Sequence, residues 1–121
     1  MASTKVVTAI WNANALVAGA SDETSDVQTL DDGYGACLHV KITNGATGPT
    51  VAAKCQIQVS ADNSEWYNFG PPLQSLTGNS VVTQWGAIDI PIGVEYLRLV
   101  AGSNTGQAVT IDADITEVTA L

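Results

Sequence analysis

Alternation of apolar and polar side chains at every second residue is the feature that most constrains the fold of this 121-residue chain. The alternation is clearest over residues 36–43 and 107–118. Successive side chains of a strand point to opposite faces, so each such segment predicts a strand with one buried face. Valine, isoleucine and threonine, which suit pleated strands, supply 34 residues, and no segment shows the period of a helix. The sequence therefore predicts an all-β fold.

Turn residues divide the chain into about eight predicted strands. Gly, Pro, Asn and Asp cluster between the alternating segments, and the loop at 70–79, with two prolines, is predicted not to pair. Short strands without crossover helices predict one domain over residues 1–121, a single antiparallel β-sandwich of jelly-roll or Ig-like type, with a closed barrel as the alternative. The predicted strands are residues 5–11, 15–18, 36–43, 51–60, 65–69, 81–90, 94–101 and 107–118, with a further short segment at 27–30.

The charge composition excludes several classes of partner. Four lysines and arginines against twelve aspartates and glutamates give a net charge of −8. Four scattered cations cannot form the basic patch that nucleic-acid binding requires, so we expect no nucleic-acid partner. No run of 18 apolar residues is present, so we expect no membrane span.

The two cysteines are predicted from the compartment in which the chain is made. The N-terminal residues lack the basic and apolar regions of a signal peptide, so we expect synthesis in a reducing cytoplasm. Cys37 and Cys55 are therefore expected to be two buried thiols, with a bridge between neighbouring strands as the alternative.

Few residues suggest catalysis. The only histidine, His39, shares a predicted strand face with Cys37, and a Cys–His pair can act as nucleophile and base. Such a pair is more commonly part of one sheet face with the imidazole satisfied by a neighbour, so we expect no enzyme and no catalytic residues. No cofactor and no zinc site are expected, because a structural zinc site needs four ligands. The acidic loop from Asp22 to Asp32 is predicted to be a solvated turn, with Ca²⁺ binding as the alternative.

Apolar and aromatic residues outside the predicted core are candidates for contact with a partner. Residues 1–20 are predicted to form either an extended docking arm or an added strand. Exposed aromatic rings elsewhere can fill a pocket of a partner protein. The candidates are Val6, Val7, Ile10 and Trp11 in the N-terminal segment, and Tyr34, Tyr67 and Trp85 in the rest of the chain.

Several segments resemble one family of structural proteins. They are 55–69 (CQIQVSADNSEWYNF), which contains a predicted hairpin with its turn at Asp62, then 90–93 (IPIG), 96–100 (YLRLV) and 106–115 (GQAVTIDADI). In this order they resemble small virion accessory proteins of tailed bacteriophages, over roughly residues 51–118. The resemblance implies a non-enzymatic β-sandwich that decorates the capsid or forms a minor part of the head.

The resemblance also implies partners and a location. The expected partner is the major capsid protein or another virion protein, and the expected assembly is a homo-oligomer, with a trimer favoured. The chain would then reside in the virion, after assembly in the host cytoplasm. Deletion of residues 2–12 is expected to abolish particle binding or trimer formation while the sandwich stays folded.

A glycan- or receptor-binding module of a phage tail or cell-surface protein is the alternative function. The same strand pattern occurs in carbohydrate-binding sandwiches. In that case Tyr34, Tyr67, Trp85 and Asp62 are expected to form a shallow aromatic and polar site.

Overall fold

The computed structural model describes residues 4–30, 34–75, 77 and 83–120. These residues contain ten strands and no helix, arranged as two antiparallel sheets that pack as a sandwich, so the predicted fold class is confirmed. The described segments accordingly include no helix of the length and hydrophobicity needed to cross a membrane. The strands are β1 Thr4–Leu16, β2 Glu23–Thr24, β3 Gln28–Thr29, β4 Ala36–Asn44, β5 Lys54–Ser60, β6 Tyr67–Asn68, β7 Leu73–Gln74, β8 Thr83–Ile90, β9 Tyr96–Gly102 and β10 Val109–Ala120.

The two sheets differ in how regular their edges are. The first sheet has the order β1-β10-β4-β8 and consists of long strands. The second sheet has the order β2-β9-β5-β6, and the short strands β3 and β7 also pair with β9 and β5. Long strands therefore form a continuous surface on the first sheet, whereas two-residue strands border the second.

The core lies between the sheets and follows the predicted alternation. Leu38, Val40 and Ile42 of β4 face inward and are buried, as predicted from the pattern. The same holds for the inward sets of β5, β9 and β10, which are Cys55 and Ile57, then Leu97 and Leu99, then Val109, Ile111, Ala113 and Ile115. Burial of each large aliphatic side chain contributes about 1.5–3 kcal/mol to folding.

The N-terminal segment forms one strand rather than the two short strands predicted. β1 runs from Thr4 to Leu16 and pairs with β10 through register shifts near Trp11. Ala13 has a positive φ of 50°, and its N–H donates to Asp112 Oδ1 at 2.8 Å. This irregularity lets the strand continue through polar residues that break the sequence pattern. The segment is thus an added strand of the protein's own sheet over Thr4–Leu16.

Two predicted loops also contain strands. Leu73–Gln74 forms β7 in the loop predicted not to pair, and Glu23–Thr24 forms β2 in the acidic loop. Ser75 extends the pairing of β7, because its N–H donates to the Ala53 carbonyl and its Oγ accepts from the Ala53 N–H, each at 2.9 Å. The Ser75 side chain thus extends the ladder beyond β7, which the composition of the loop did not predict.

The cysteines lie in different sheets and are free thiols. Cys55 is buried in the core, as predicted, and burial raises the pKa of its thiol to about 12. Cys37 is only half-buried, because β4 directs it to the outer face of the first sheet. The prediction of a buried thiol is therefore wrong for Cys37.

Candidate functional site

The outermost strand of the first sheet has an open side. β1 pairs with β10 on one side, and no strand among the described residues pairs with it on the other. Thr4–Ala9 is exposed along its whole length, and we call this stretch the open edge. Unpaired N–H and C=O groups of such a strand can extend into the sheet of another chain.

The N-terminal candidate residues fall into two groups. Val6 and Val7 lie on the open edge, with 46% and 66% of their surface exposed. Ile10 and Trp11 are half-buried and pack against the protein's own core. The structure therefore leaves the two valines accessible to a partner, whereas Ile10 and Trp11 also hold β1 on the sandwich.

The far end of β1 is covered by its own chain. Asn14 Nδ2 donates to Glu23 Oε2 at 2.6 Å, and Asn104 Nδ2 donates to the Leu16 carbonyl at 3.0 Å. These bonds attach the end of the strand to β2 and to the β9–β10 connection. Only the N-terminal half of β1 is therefore free for pairing.

The outer face of the first sheet carries polar side chains in cross-strand pairs. His39 of β4 is paired with Asp114 of β10, and its Nδ1 lies 3.1 Å from Asp114 Oδ1. Lys41 is paired with Asp112, with Nζ 3.8 Å from Oδ2. The opposite charges of Lys41 and Asp112 stabilise the pairing of the two strands modestly, and His39 is joined to Asp114 by a hydrogen bond.

Two adjoining grooves run over this face. The first, of about 650 Å³, we call the outer groove, and it is lined by Val7, His39, Lys41, Ala87, Asp112 and Asp114, among others. The second, of about 580 Å³, we call the end groove, and it is lined by Lys5, Tyr34, Cys37, His39, Asp89 and Ile92, among others. His39 lines both, so it lies where the grooves meet.

The predicted hairpin at 60–69 is present, and its turn is held by Asp62. Asp62 Oδ1 accepts the N–H of Glu65 at 3.0 Å and of Ser64 at 2.9 Å. The hydroxyl of Ser60 also donates to Asp62 Oδ1, at 3.1 Å. These bonds, the Glu65 bond first, lower the pKa of Asp62 below its ordinary value. Its carboxylate is thus engaged in the turn, which is a structural role.

The aromatic residues near this hairpin are exposed to different degrees. Tyr67 is 61% exposed, and its hydroxyl donates to Glu65 Oε2 at 3.2 Å. Trp66 is half-buried under the Arg98 guanidinium, whose carbon lies 4.3 Å from the ring centroid. The indole therefore packs beneath a cation and is not part of the buried core.

The residues predicted to form an aromatic glycan site belong to different parts of the fold. Tyr34 lies beside the first sheet, where its N–H donates to the Val118 carbonyl at 2.6 Å. Tyr67 and Asp62 belong to the hairpin of the second sheet. The backbone of Trp85 pairs with Lys41 in the first sheet, and its side chain lies outside the described residues. The hairpin residues and Tyr34 are thus on different sheets.

The acidic loop uses part of its carboxylates for internal bonds. Asp22 Oδ1 accepts the Ser103 hydroxyl at 3.0 Å, and Glu23 accepts Asn14. Asp31 and Asp32 lie outside the described residues. Among the residues that the structure describes, no group of three or more His, Cys, Asp or Glu is placed to hold a metal ion.

The sequence did not identify the outer groove. Its charged residues alternate along two strands, His39 and Lys41 on one and Asp112 and Asp114 on the other. This pattern predicts that each pair shares a strand face, but the pairing of the two strands follows only from their register.

Comparisons with known proteins show the fold alone. No protein-family model matches the chain, and no curated protein sequence matches it. A chain of infectious bursal disease virus strain Gx is similar over 96% of this chain and 33% of its own length, at 12% identity and a TM-score of 0.53. Dimeric latent PorU from Porphyromonas gingivalis is similar over 98% of this chain and 13% of its own, at 14% identity and a TM-score of 0.52. A family 16 carbohydrate-binding module covers 82% of this chain and 70% of its own, at 10% identity and a TM-score of 0.48.

The chain spans a third or less of the length of the first two of these structures. At such identities the likeness extends to the arrangement of strands and not to side chains of a site. This chain is thus an all-β sandwich, a fold shared with a chain of a virus structure and with part of a bacterial protein.

Proposed function

We propose that this chain is a non-enzymatic structural protein of a bacteriophage virion, which binds capsid subunits as a decoration or minor head protein. The observation that carries the proposal is the open edge at Thr4–Ala9. A strand of a capsid subunit would pair with this edge and extend the first sheet, while Val6 and Val7 would be covered at the contact.

The chemistry of the open edge favours a protein partner. Monomeric proteins commonly protect a long edge strand with charges, proline or a covering loop. Within Thr4–Ala9, Lys5 is the only charged residue, and this stretch contains no proline. A partner strand would meet little charge to desolvate there, although the chain as a whole carries a net charge of −8.

The virion setting is supported by sequence and by fold. Residues 51–118 carry the segments that resemble accessory proteins of tailed phages. The fold is also one that a virus structure uses, at 12% identity. Together with the open edge, these observations favour capsid subunits over other protein partners.

Particle binding tests this proposal with a matched pair of variants. The full chain would be mixed with purified phage particles from which this protein has been removed by deleting its gene. The amount of bound protein would be measured after density-gradient separation. V7E places a charge on the open edge and is expected to weaken binding about tenfold or more. I92E changes a residue of equal exposure, 66%, in the β8–β9 turn and is expected to bind as the parent protein does.

Equal binding of V7E and I92E, or no binding of the parent protein, would contradict the proposal. Light scattering on the eluted protein and on the bound complex would test the expected trimer separately. Deletion of residues 2–12 is a poor test, because it removes most of the strand that pairs with β10 and uncovers core residues.

A glycan-binding module is the second candidate, and the outer groove favours it. Imidazole, carboxylate and ammonium groups in an open groove of about 650 Å³ can hydrogen-bond to the hydroxyls of a sugar. A glycan array with the full chain, and with H39A as the comparison, tests this function. Sugar binding that H39A abolishes, together with no particle binding, would favour the second candidate over the first.

A further inference from the structure

Three side chains on the outer face of the first sheet form a connected row. Cys37 and His39 are two residues apart on β4, and Asp114 is the direct cross-strand partner of His39. Cys37 Sγ lies 3.8 Å from His39 Nε2, and His39 Nδ1 lies 3.1 Å from Asp114 Oδ1. The order is thiol, imidazole and carboxylate, which is the arrangement in which a base activates a nucleophile and a third group orients the base.

The hydrogen bonds assign a role to each ring nitrogen. An ionised carboxylate only accepts hydrogen bonds, so the bond to Asp114 requires a proton on His39 Nδ1. In the neutral imidazole the other nitrogen, Nε2, is then unprotonated. Nε2 faces the thiol of Cys37 and can accept its proton.

The surroundings favour sulfur chemistry over acyl transfer. Acyl transfer needs N–H donors aimed at a developing oxyanion. β4 is paired on both sides, with β10 and β8, so its backbone N–H groups lie in the plane of the sheet and are used in the ladder. Attack on a disulfide develops charge on sulfur alone and needs no such donors.

We propose that Cys37 is a thiol–disulfide exchange site, with His39 as the proton acceptor, Asp114 as a positioning residue and a small disulfide in the end groove as substrate. Cys37 Sγ attacks one sulfur of the disulfide, a new S–S bond forms and the old one breaks. His39 Nε2 takes the thiol proton and passes it to the departing thiolate. The Cys37 sulfur is oxidised, the leaving sulfur is reduced, and the products are a mixed disulfide and one free thiol.

Other ionisable groups also face the thiol. Asp89 of β8 is the cross-strand partner of Cys37 and opposes the formation of a negative sulfur. Lys5 of β1 and Tyr34 line the same groove, and Lys5 favours the negative sulfur. Asp114 acts through His39, and on β10 the residue directly opposite Cys37 is the uncharged Thr116. The proton acceptor beside the thiol is what distinguishes Cys37 from an ordinary surface cysteine.

The experiment measures the rate at which the full, folded chain reacts with 4,4′-dithiodipyridine, a small disulfide. The rate is measured from about pH 5.5 to about pH 8, because this range includes the pH values at which histidine side chains commonly titrate. Thiopyridone release gives the rate, and intact-protein mass spectrometry gives the number of adducts. One adduct is expected, and C37S is expected to give none, because Cys55 is buried. At pH 6.5 the parent protein is expected to react about tenfold faster than H39Q, because few ordinary thiols are ionised there.

The pH profile separates proton transfer from a merely structural role. In H39Q, which lacks the proton acceptor, the reaction rate should fall about tenfold for each unit by which the pH is lowered, because only the free thiolate reacts. The parent protein should fall less steeply, with D114N between it and H39Q. His39 is half exposed, so both variants should keep the circular dichroism spectrum of the parent.

Two results would overturn the proposal. One is a reaction rate of the parent protein that itself falls about tenfold for each unit by which the pH is lowered. This result would exclude proton transfer to His39 without comparison to any variant. The other is adduct formation at Cys55 of the folded protein, or none at Cys37. The residues substituted here, Cys37, His39 and Asp114, lie outside the open edge, so this test and the particle-binding test can fail separately.

Discussion

The side-chain amide of Asn104 donates a hydrogen bond to the carbonyl oxygen of Leu16, at 3.0 Å, in the interior of the protein. The same Nδ2 also donates to the Gln107 carbonyl at 2.8 Å, and the Asn104 carbonyl accepts the N–H of Gly19 at 2.9 Å. One buried residue thus joins the end of β1 to the connection between β9 and β10. This joint holds the C-terminal end of β1 at the edge of the first sheet, while the N-terminal half of the strand stays exposed to solvent.

N104A is expected to destabilise the protein by about 2–4 kcal/mol. The substitution leaves two carbonyl groups without their side-chain donor, one of them buried, and each lost bond of this kind costs about 1–3 kcal/mol. Urea unfolding followed by tryptophan fluorescence would measure the change. N12A, an exposed position on β1, is the control and is expected to stay within about 0.5 kcal/mol. An equal effect of the two variants would show that the amide does not stabilise the joint.

G102A is expected to destabilise the protein by about 3 kcal/mol or more. Gly102 has a φ of 144°, and an added Cβ would lie 2.7 Å from Asp22 Oδ1 and 3.1 Å from Asp22 Cα. Backbone strain and the close approach of Asp22, just before β2, both oppose a side chain there. Thermal unfolding would measure the loss.

Two other glycines separate strain from crowding. Gly19 has a φ of 71° with open space around it, so G19A should cost about 1 kcal/mol through strain alone. Gly93 has open space and no positive φ, so G93A should change the stability by less than about 1 kcal/mol. If G102A cost no more than G19A, the contact with Asp22 would be irrelevant to stability.

The sequence predicted the core faces because alternation records burial directly. The inward sets of β4, β9 and β10 lie where the period of two places them. The hairpin turn at Asp62 was predictable for a similar reason, since its hydrogen bonds are local in sequence.

The sequence failed where geometry depends on distant partners. β1 continues through Ala13 because the Asp112 side chain, 99 residues away, accepts its N–H. The joining of His39 to Asp114 depends on the register between β4 and β10, which neither strand encodes alone. Tyr67 joins the second sheet and Tyr34 is bonded to the first because of how the strands pair, and alternation carries no information about that pairing.

The stacking of Arg98 on Trp66 is expected to contribute about 0.5–1 kcal/mol. Arg98 is held for this contact by its Nε, which donates to Gln58 Oε1 at 2.8 Å, while its guanidinium carbon lies 4.3 Å from the indole centroid. A double-mutant cycle with W66L and R98Q, measured by urea unfolding, isolates the coupling between the two side chains. W66L combined with N12A, an exposed position on β1 in the other sheet, is the control and is expected to be additive. Additive effects of W66L and R98Q would exclude a stabilising cation–π contact.

D62N is expected to remove part of the acid sensitivity of the protein. Hydrogen bonds from the backbone of Glu65 and Ser64 and from the Ser60 hydroxyl hold the pKa of Asp62 below its ordinary value in the folded state. A carboxyl group with a lowered folded pKa stabilises the protein at pH values above its unfolded pKa, and this stability is lost as the pH falls through the folded pKa. The difference in unfolding free energy between the parent protein and D62N should therefore be constant near neutral pH and shrink below about pH 4.

Urea unfolding at a series of pH values would measure this difference, with D26N, a substitution of an exposed loop carboxyl, as the matched control. A difference that stays constant down to the lowest pH would contradict the role of the charged form, because the amide of D62N accepts the same N–H groups without a charge.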